Sequence, residues 1–200
     1  MESIRDIIYQ HLSVYLDNSY VADYKLRAEK SAKRVAEQYP EKYSFDGFYQ
    51  YLINSMPSVG HEKRDGYDYF WYSACNDFEY IKTIAFRGTL EDVSECIITA
   101  AEQDNFGSTF QEDIPKPFVH SVEERPVSDF HDLFVMVLEG VSCGCWLSEE
   151  AADHMAQRLS EEGVRLFFSS FHYGYLGGGL FAFLRESTEE IVVLILDGTD

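Results

Sequence analysis

The stretch Val141–Trp146 reads VSCGCW, two thiols one residue apart just before a segment that Ser148 can cap as a helix. Backbone N–H groups at a helix N-terminus stabilise a thiolate, which makes Cys145 a candidate nucleophile to be paired with a histidine; His154 lies on the following helix. A zinc site wants four ligands at recognisable spacing. The other two cysteines, Cys75 and Cys96, stand alone, and His11, His61, His120, His131 and His172 are scattered, so neither a metal site nor a cofactor is expected. Carboxylate doublets recur at Glu112–Asp113, Glu123–Glu124, Glu149–Glu150, Glu161–Glu162 and Glu189–Glu190. Adjacent side chains diverge on a helix or strand, so these doublets read as solvated surface rather than acid/base pairs. The chain has no Gly-x-Ser-x-Gly elbow.

Ile84–Thr89, IAFRGT, sets an arginine and a glycine at a strand end. It resembles the first motif of the ADP-ribosyltransferases, in which the arginine contacts the nicotinamide dinucleotide. That resemblance implies this role for Arg87, a second-motif serine strand at Phe168–Phe171 (FSSF), and a catalytic glutamate at Glu190. The chain departs from the family in that Glu189 and Glu190 are adjacent where the third motif spaces its residues by one. Two enzyme alternatives thus stand: a small transferase using Arg87 and Glu190, and a thiol enzyme using Cys145.

His172–Leu184, HYGYLGGGLFAFL, carries three consecutive glycines. A phosphate loop feeds the N-terminus of a helix and usually supplies a lysine. Here the glycines lie between two apolar strands with no lysine after them, so they predict a hairpin with positive φ and close backbone approach. Tyr173 and Tyr175 flank its tip and are candidate partner contacts.

The elements that must position these residues follow from periodicity. Ser3 caps a first helix whose Ile4, Ile7, Ile8, Leu12 and Tyr15 share a face. A second helix over 20–38 ends at Pro40 and carries Lys25, Arg27, Lys30, Lys33 and Arg34 on its outer side; a third spans Ser44–Ser55. Pro57–Gly66 reads as a polar linker. From Tyr67 the period becomes two, predicting a strand, a turn at Ala74–Asp77 and a second strand to Arg87. Thr89 and Asp92 form a capping box for a helix that buries Leu90, Val93, Ile97 and Ala100. Residues 104–128 hold three of the five prolines and read as a long loop. Beyond it come an apolar strand at Leu133–Leu138, a helix from Ser148 to Glu162 stopped by Gly163, and strands at Val164–Phe171, Leu180–Leu184 and Ile191–Leu196. The expected class is α+β: N-terminal helices followed by a mainly antiparallel sheet with two packed helices. The expected organisation is a helical segment over 1–57 packed on an α+β domain over 67–200.

Charge bounds the partner. The 200 residues carry a formal charge of −19. Residues 1–90 hold 11 basic and 13 acidic side chains, whereas residues 91–200 hold 5 and 22. Such a field repels nucleic acid and anionic membrane and speeds encounter with basic proteins. No signal-peptide pattern opens the chain and no stretch nears the ~18 apolar residues of a membrane span, so a cytoplasmic location is expected. The leading expectation is a non-enzymatic, acidic protein-binding module of the inhibitor or immunity type that neutralises a basic toxin or nuclease. Its candidate contacts are Tyr173, Tyr175, Glu149, Glu150, Asp153, Glu161 and Glu162.

Overall fold

LGGGLFAFLR and EIVVLILDGT are apolar on both alternations, which is the pattern of strands covered on both faces. They form the centre of the sheet in a computed structural model that describes residues 2–16, 21–74, 77–103, 118–141, 149–173 and 176–199. The strands are β1 (Ser58–Arg64), β2 (Tyr67–Ala74), β3 (Asp77–Arg87), β4 (Phe118–Val119), β5 (Glu123–Arg125), β6 (Arg165–Tyr173), β7 (Leu176–Arg185) and β8 (Glu190–Thr199). Their order is β1-β2-β3-β8-β7-β6-β4, with β5 pairing β6 beside β4, and every pairing is antiparallel. The class is therefore α+β, with the N-terminal helices ahead of the sheet.

Alternation along β7 and β8 splits the core in two. Phe181, Phe183, Val192, Leu194 and Leu196 face helices α1 (Ile4–Val14), α5 (Phe130–Val141) and α6 (Glu149–Glu161). Leu180, Ala182, Leu184, Ile191, Val193 and Ile195 face α4 (Val93–Gln103). The first helix is thus part of the sheet's core: Ile4, Ile7, Ile8 and Leu12 are buried, and Ser3 Oγ caps it by accepting from the Asp6 N–H. Arg5 of α1 also donates twice to Asp68 of β2, a fully buried carboxylate, at 2.6 and 2.7 Å. Helices α2 (Val21–Gln38) and α3 (Phe45–Asn54) pack chiefly on each other, with Tyr24 Oη donating to the Leu52 carbonyl at 3.0 Å. Within α2 only Ala28 and Ala32 are buried, and α3 buries no residue fully; its Phe45 is 38% exposed.

Three expected elements differ. The run Leu133–Leu138 is helical: Phe130, Leu133, Phe134 and Val137 are buried at helical spacing, so the six apolar residues were one stretch of a longer amphipathic helix. The polar stretch after Pro57 is the edge strand β1, held to β2 by seven paired residues from Ser58↔Ser73 to Arg64↔Tyr67. Its half-exposed position explains a composition that mimics a linker. Gly178 and Gly179 lie inside β7 without positive φ, and residues 174–175, between β6 and β7, lie outside the described residues. Close approach is what they supply. A Cβ on Gly178 would sit 2.2 Å from the Leu196 carbonyl oxygen, and one on Gly179 would sit 2.7 Å from Val137 of α5. Other local readings hold. Thr89 and Asp92 form the capping box, although Leu90 is 43% exposed, and Gly163 takes φ +70° after α6.

Candidate functional site

The Arg87 end of the sheet comes first. Arg87 faces Glu190 across β3 and β8, and both line an open cleft of about 440 Å³ with Ser3, Phe86, Arg185 and Thr188. The Glu190 carboxylate is fully engaged. One oxygen accepts the first N–H of α1, from Ile4 at 2.8 Å, and the other accepts from Arg185 at 2.5 Å. Arg185 is only 3% exposed, and its guanidinium also donates to the Glu2 carbonyl (2.8 Å), the Thr188 hydroxyl (3.1 Å) and the Glu162 carboxylate (3.3 Å). One buried cation thus ties the start of α1 to the end of α6 and to the β7–β8 turn, where Glu189 takes φ 50° and its carbonyl accepts from the Gly88 N–H.

The serines of Phe168–Phe171 are elsewhere. Ser170 pairs with Gly179, which pairs with Leu196, six residues along β8 from Glu190 and two strands away. At about 3.3 Å per residue this is ~20 Å along the strand alone. Ser169 Oγ donates to the His120 carbonyl at 2.8 Å. Arg87 and Glu190 therefore meet, but the serines do not join them.

Of the thiols, Cys75, Cys143 and Cys145 lie outside the described residues, as do Ser148 and the stretch 104–117. Cys96 is buried on α4, where desolvation, then Asp92 and Glu95, push its thiol pKa up and keep it protonated. His154 is exposed on α6.

The opposite end of the sheet holds an arrangement no local pattern signalled. His120 follows β4 and His172 lies near the end of β6, 52 residues on. His120 Nε2 and His172 Nδ1 are 3.0 Å apart, and both residues are exposed. Phe118, 58% exposed and opposite His172 in the register, packs against both rings at 5.1 and 5.2 Å between centroids. The only available signal was the alternation Phe118, His120, which puts both side chains on one face of a strand. Tyr173 ends β6 beside this group, and Tyr175 lies outside the described residues. Among the described residues no cluster of three or more His, Cys, Asp or Glu is placed to hold a metal.

The acidic candidates lie along α6. Glu149 opens the helix, and Glu150, Asp153 and Glu161 are exposed. Glu150 and Asp153 have no partner among the described residues, and the same holds for Glu91 and Glu95 around α4. Glu161 is shared with Gln157 (3.1 Å) and Arg158 (4.0 Å). Glu162 differs: it is paired with Arg158 at 3.0 Å and Arg185 at 3.3 Å, so its carboxylate serves the fold. Glu124 and Asp92 are also locally engaged. Their carboxyls sit below the usual range because Arg165 binds the first, and the Thr89 backbone and hydroxyl donate to the second. Tyr173 and α6's C-terminal acids do not share one patch: α6 ends at the start of β6, and eight residues, ~26 Å of strand, separate Arg165 from Tyr173. No helix among the described residues is long and apolar enough to cross a membrane.

No protein-family model, no curated protein and no solved structure matches this chain.

Proposed function

We propose that this protein is an acidic, cytoplasmic protein-binding module of the inhibitor or immunity type, which neutralises a basic partner such as a toxin or nuclease. The observation that carries the reading is a set of exposed carboxylates that have no partner among the described residues, Glu91 just ahead of α4, Glu95 on α4, and Glu150 and Asp153 on α6, in a half of the chain with 22 acids against 5 bases. Unpaired exposed carboxylates keep their full field for an incoming cationic surface, and they steer it through solvent before contact. The same field disfavours phosphate-bearing partners, so direct nucleic-acid binding forms no part of the reading. The transferase alternative is weaker on geometry, because Glu190 would have to release both the α1 N-terminus and Arg185 before acting on a substrate.

The test is capture of partners by the immobilised chain from its native host at low ionic strength, followed by titration of the purified partner. The expected partner is a basic protein whose affinity falls as salt rises and falls again for E150K/D153K. An affinity indifferent to both would overturn the reading.

A further inference from the structure

The histidine pair supports a second kind of chemistry. We propose that His120 Nε2 and His172 Nδ1 form a two-nitrogen chelate for a divalent first-row transition ion, Cu²⁺, Ni²⁺ or Zn²⁺, with solvent filling its remaining positions.

Imidazole nitrogens bind these ions at about 2.0–2.1 Å. Two such nitrogens on adjacent, right-angled positions stand ~3.0 Å apart, and on tetrahedral positions ~3.4 Å. The observed separation is 3.0 Å. That spacing suits square or octahedral coordination by Cu²⁺ or Ni²⁺, while Zn²⁺ asks for an opening of a few tenths of an ångström; in each case the rings, whose centroids lie 5.1 Å apart with the facing nitrogens directed at each other, must swing to aim both lone pairs at the ion. Imidazole suits all three ions, and Cu²⁺ heads the affinity order. The strand register sets the spacing: Phe118 pairs with His172, and the His120 N–H donates to the Ser170 carbonyl at 2.9 Å, so the two histidines are diagonal neighbours on one face. Phe118, in contact with both rings, restricts their rotamers before any ion arrives. The chain's charge of −19 draws cations toward its surface.

Proton balance is simple. In the ion-free protein the two facing nitrogens share one hydrogen. On coordination both must present lone pairs, so the ring that held that hydrogen releases it and takes one at its remote nitrogen. His120 then carries its proton on Nδ1 and His172 on Nε2, with no net change. The bound ion would cross-link the two-residue strand β4 to β6.

The experiment is calorimetric titration of the full chain with NiCl₂, CuCl₂ and ZnCl₂ in a non-chelating buffer, with histidine side-chain NMR of the unmodified protein. The expected result is saturable binding to one site that H120A and H172A each weaken at least ~10-fold, while H154A does not. The resonances of His120 and His172 respond first, ahead of those of His11, His61, His131 and His154. Wild-type affinity in H120A, a first response at other histidines, or no saturable binding each overturns the proposal. The NMR arm needs no variant and so decides the matter even if a substitution unfolds β4.

Discussion

The two ends of β7 sit about 30 Å apart and differ in how their polar groups are used. At the Arg185 end a buried guanidinium is surrounded by acceptors from Glu2, Glu162, Thr188 and Glu190, and the Glu190 carboxylate is divided between that cation and the Ile4 N–H. At the Leu176 end, across β6, two imidazoles face each other in the open beside a half-exposed phenylalanine. Glu190 in the first set is the glutamate that the transferase resemblance singles out, yet its carboxylate is occupied by the Ile4 N–H and Arg185. The second set carries no motif, yet both of its histidines are exposed and their facing nitrogens are engaged with each other. Chemistry is better sought where polar atoms are left with capacity than where charged residues merely gather.

The largest expected effect comes from removing the buried cation. R185A leaves the Glu190 and Glu162 carboxylates without it, and should cost about 3–5 kcal/mol by urea denaturation. H172A at the open end should cost under ~1 kcal/mol. Similar losses for the two would break the contrast between the ends. Next comes G178A. Its added Cβ would press on the Leu196 carbonyl and the Phe171 ring, and backbone in a central strand yields little, so a loss of about 1–3 kcal/mol is expected in the same assay.

A smaller effect follows pH. Lys63, then Ser3, hold the Asp6 carboxyl below its usual range, at the same end as Arg185. A depressed folded-state pKa contributes stability above the ordinary carboxylate value near ~4, and that contribution disappears as pH falls through the folded value. Asp6 is 43% exposed, so solvent screening keeps it well under ~1 kcal/mol. The stability gap between wild type and D6N should therefore be present at neutral pH and close below about pH 4; urea midpoints across that range check it. The smallest expected change in stability is that of E150K/D153K, within ~0.5 kcal/mol of wild type, because neither side chain has a partner among the described residues. A larger loss would mean that α6's outer face serves the fold as Glu162 does.

Local signals in the chain were accurate where a few neighbouring residues settle the outcome. The Ser3 cap, the buried face of α1, the Thr89–Asp92 box, the Gly163 stop and the three C-terminal strands are all interactions within one turn or one alternation. Misreadings came where a short window looks the same in two structures. Six apolar residues at Leu133–Leu138 suit a strand until Phe130 is counted, and an exposed edge strand has the polarity of a linker. The glycines of β7 signalled close approach correctly, but the bodies that approach, the Leu196 carbonyl and Val137, belong to distant segments.

The sequence by itself determined the charge and its confinement to the second half, the faces of the helices, the caps and the α+β class, because composition and short-range periodicity encode them. The tertiary structure alone decided that Glu190 caps a helix 186 residues away, that Arg185 is the buried tie between three elements, and that His120 meets His172. Strand order and register bring such residues together. Both are set by the burial of the whole sheet against two helical layers, and no single segment carries that energy.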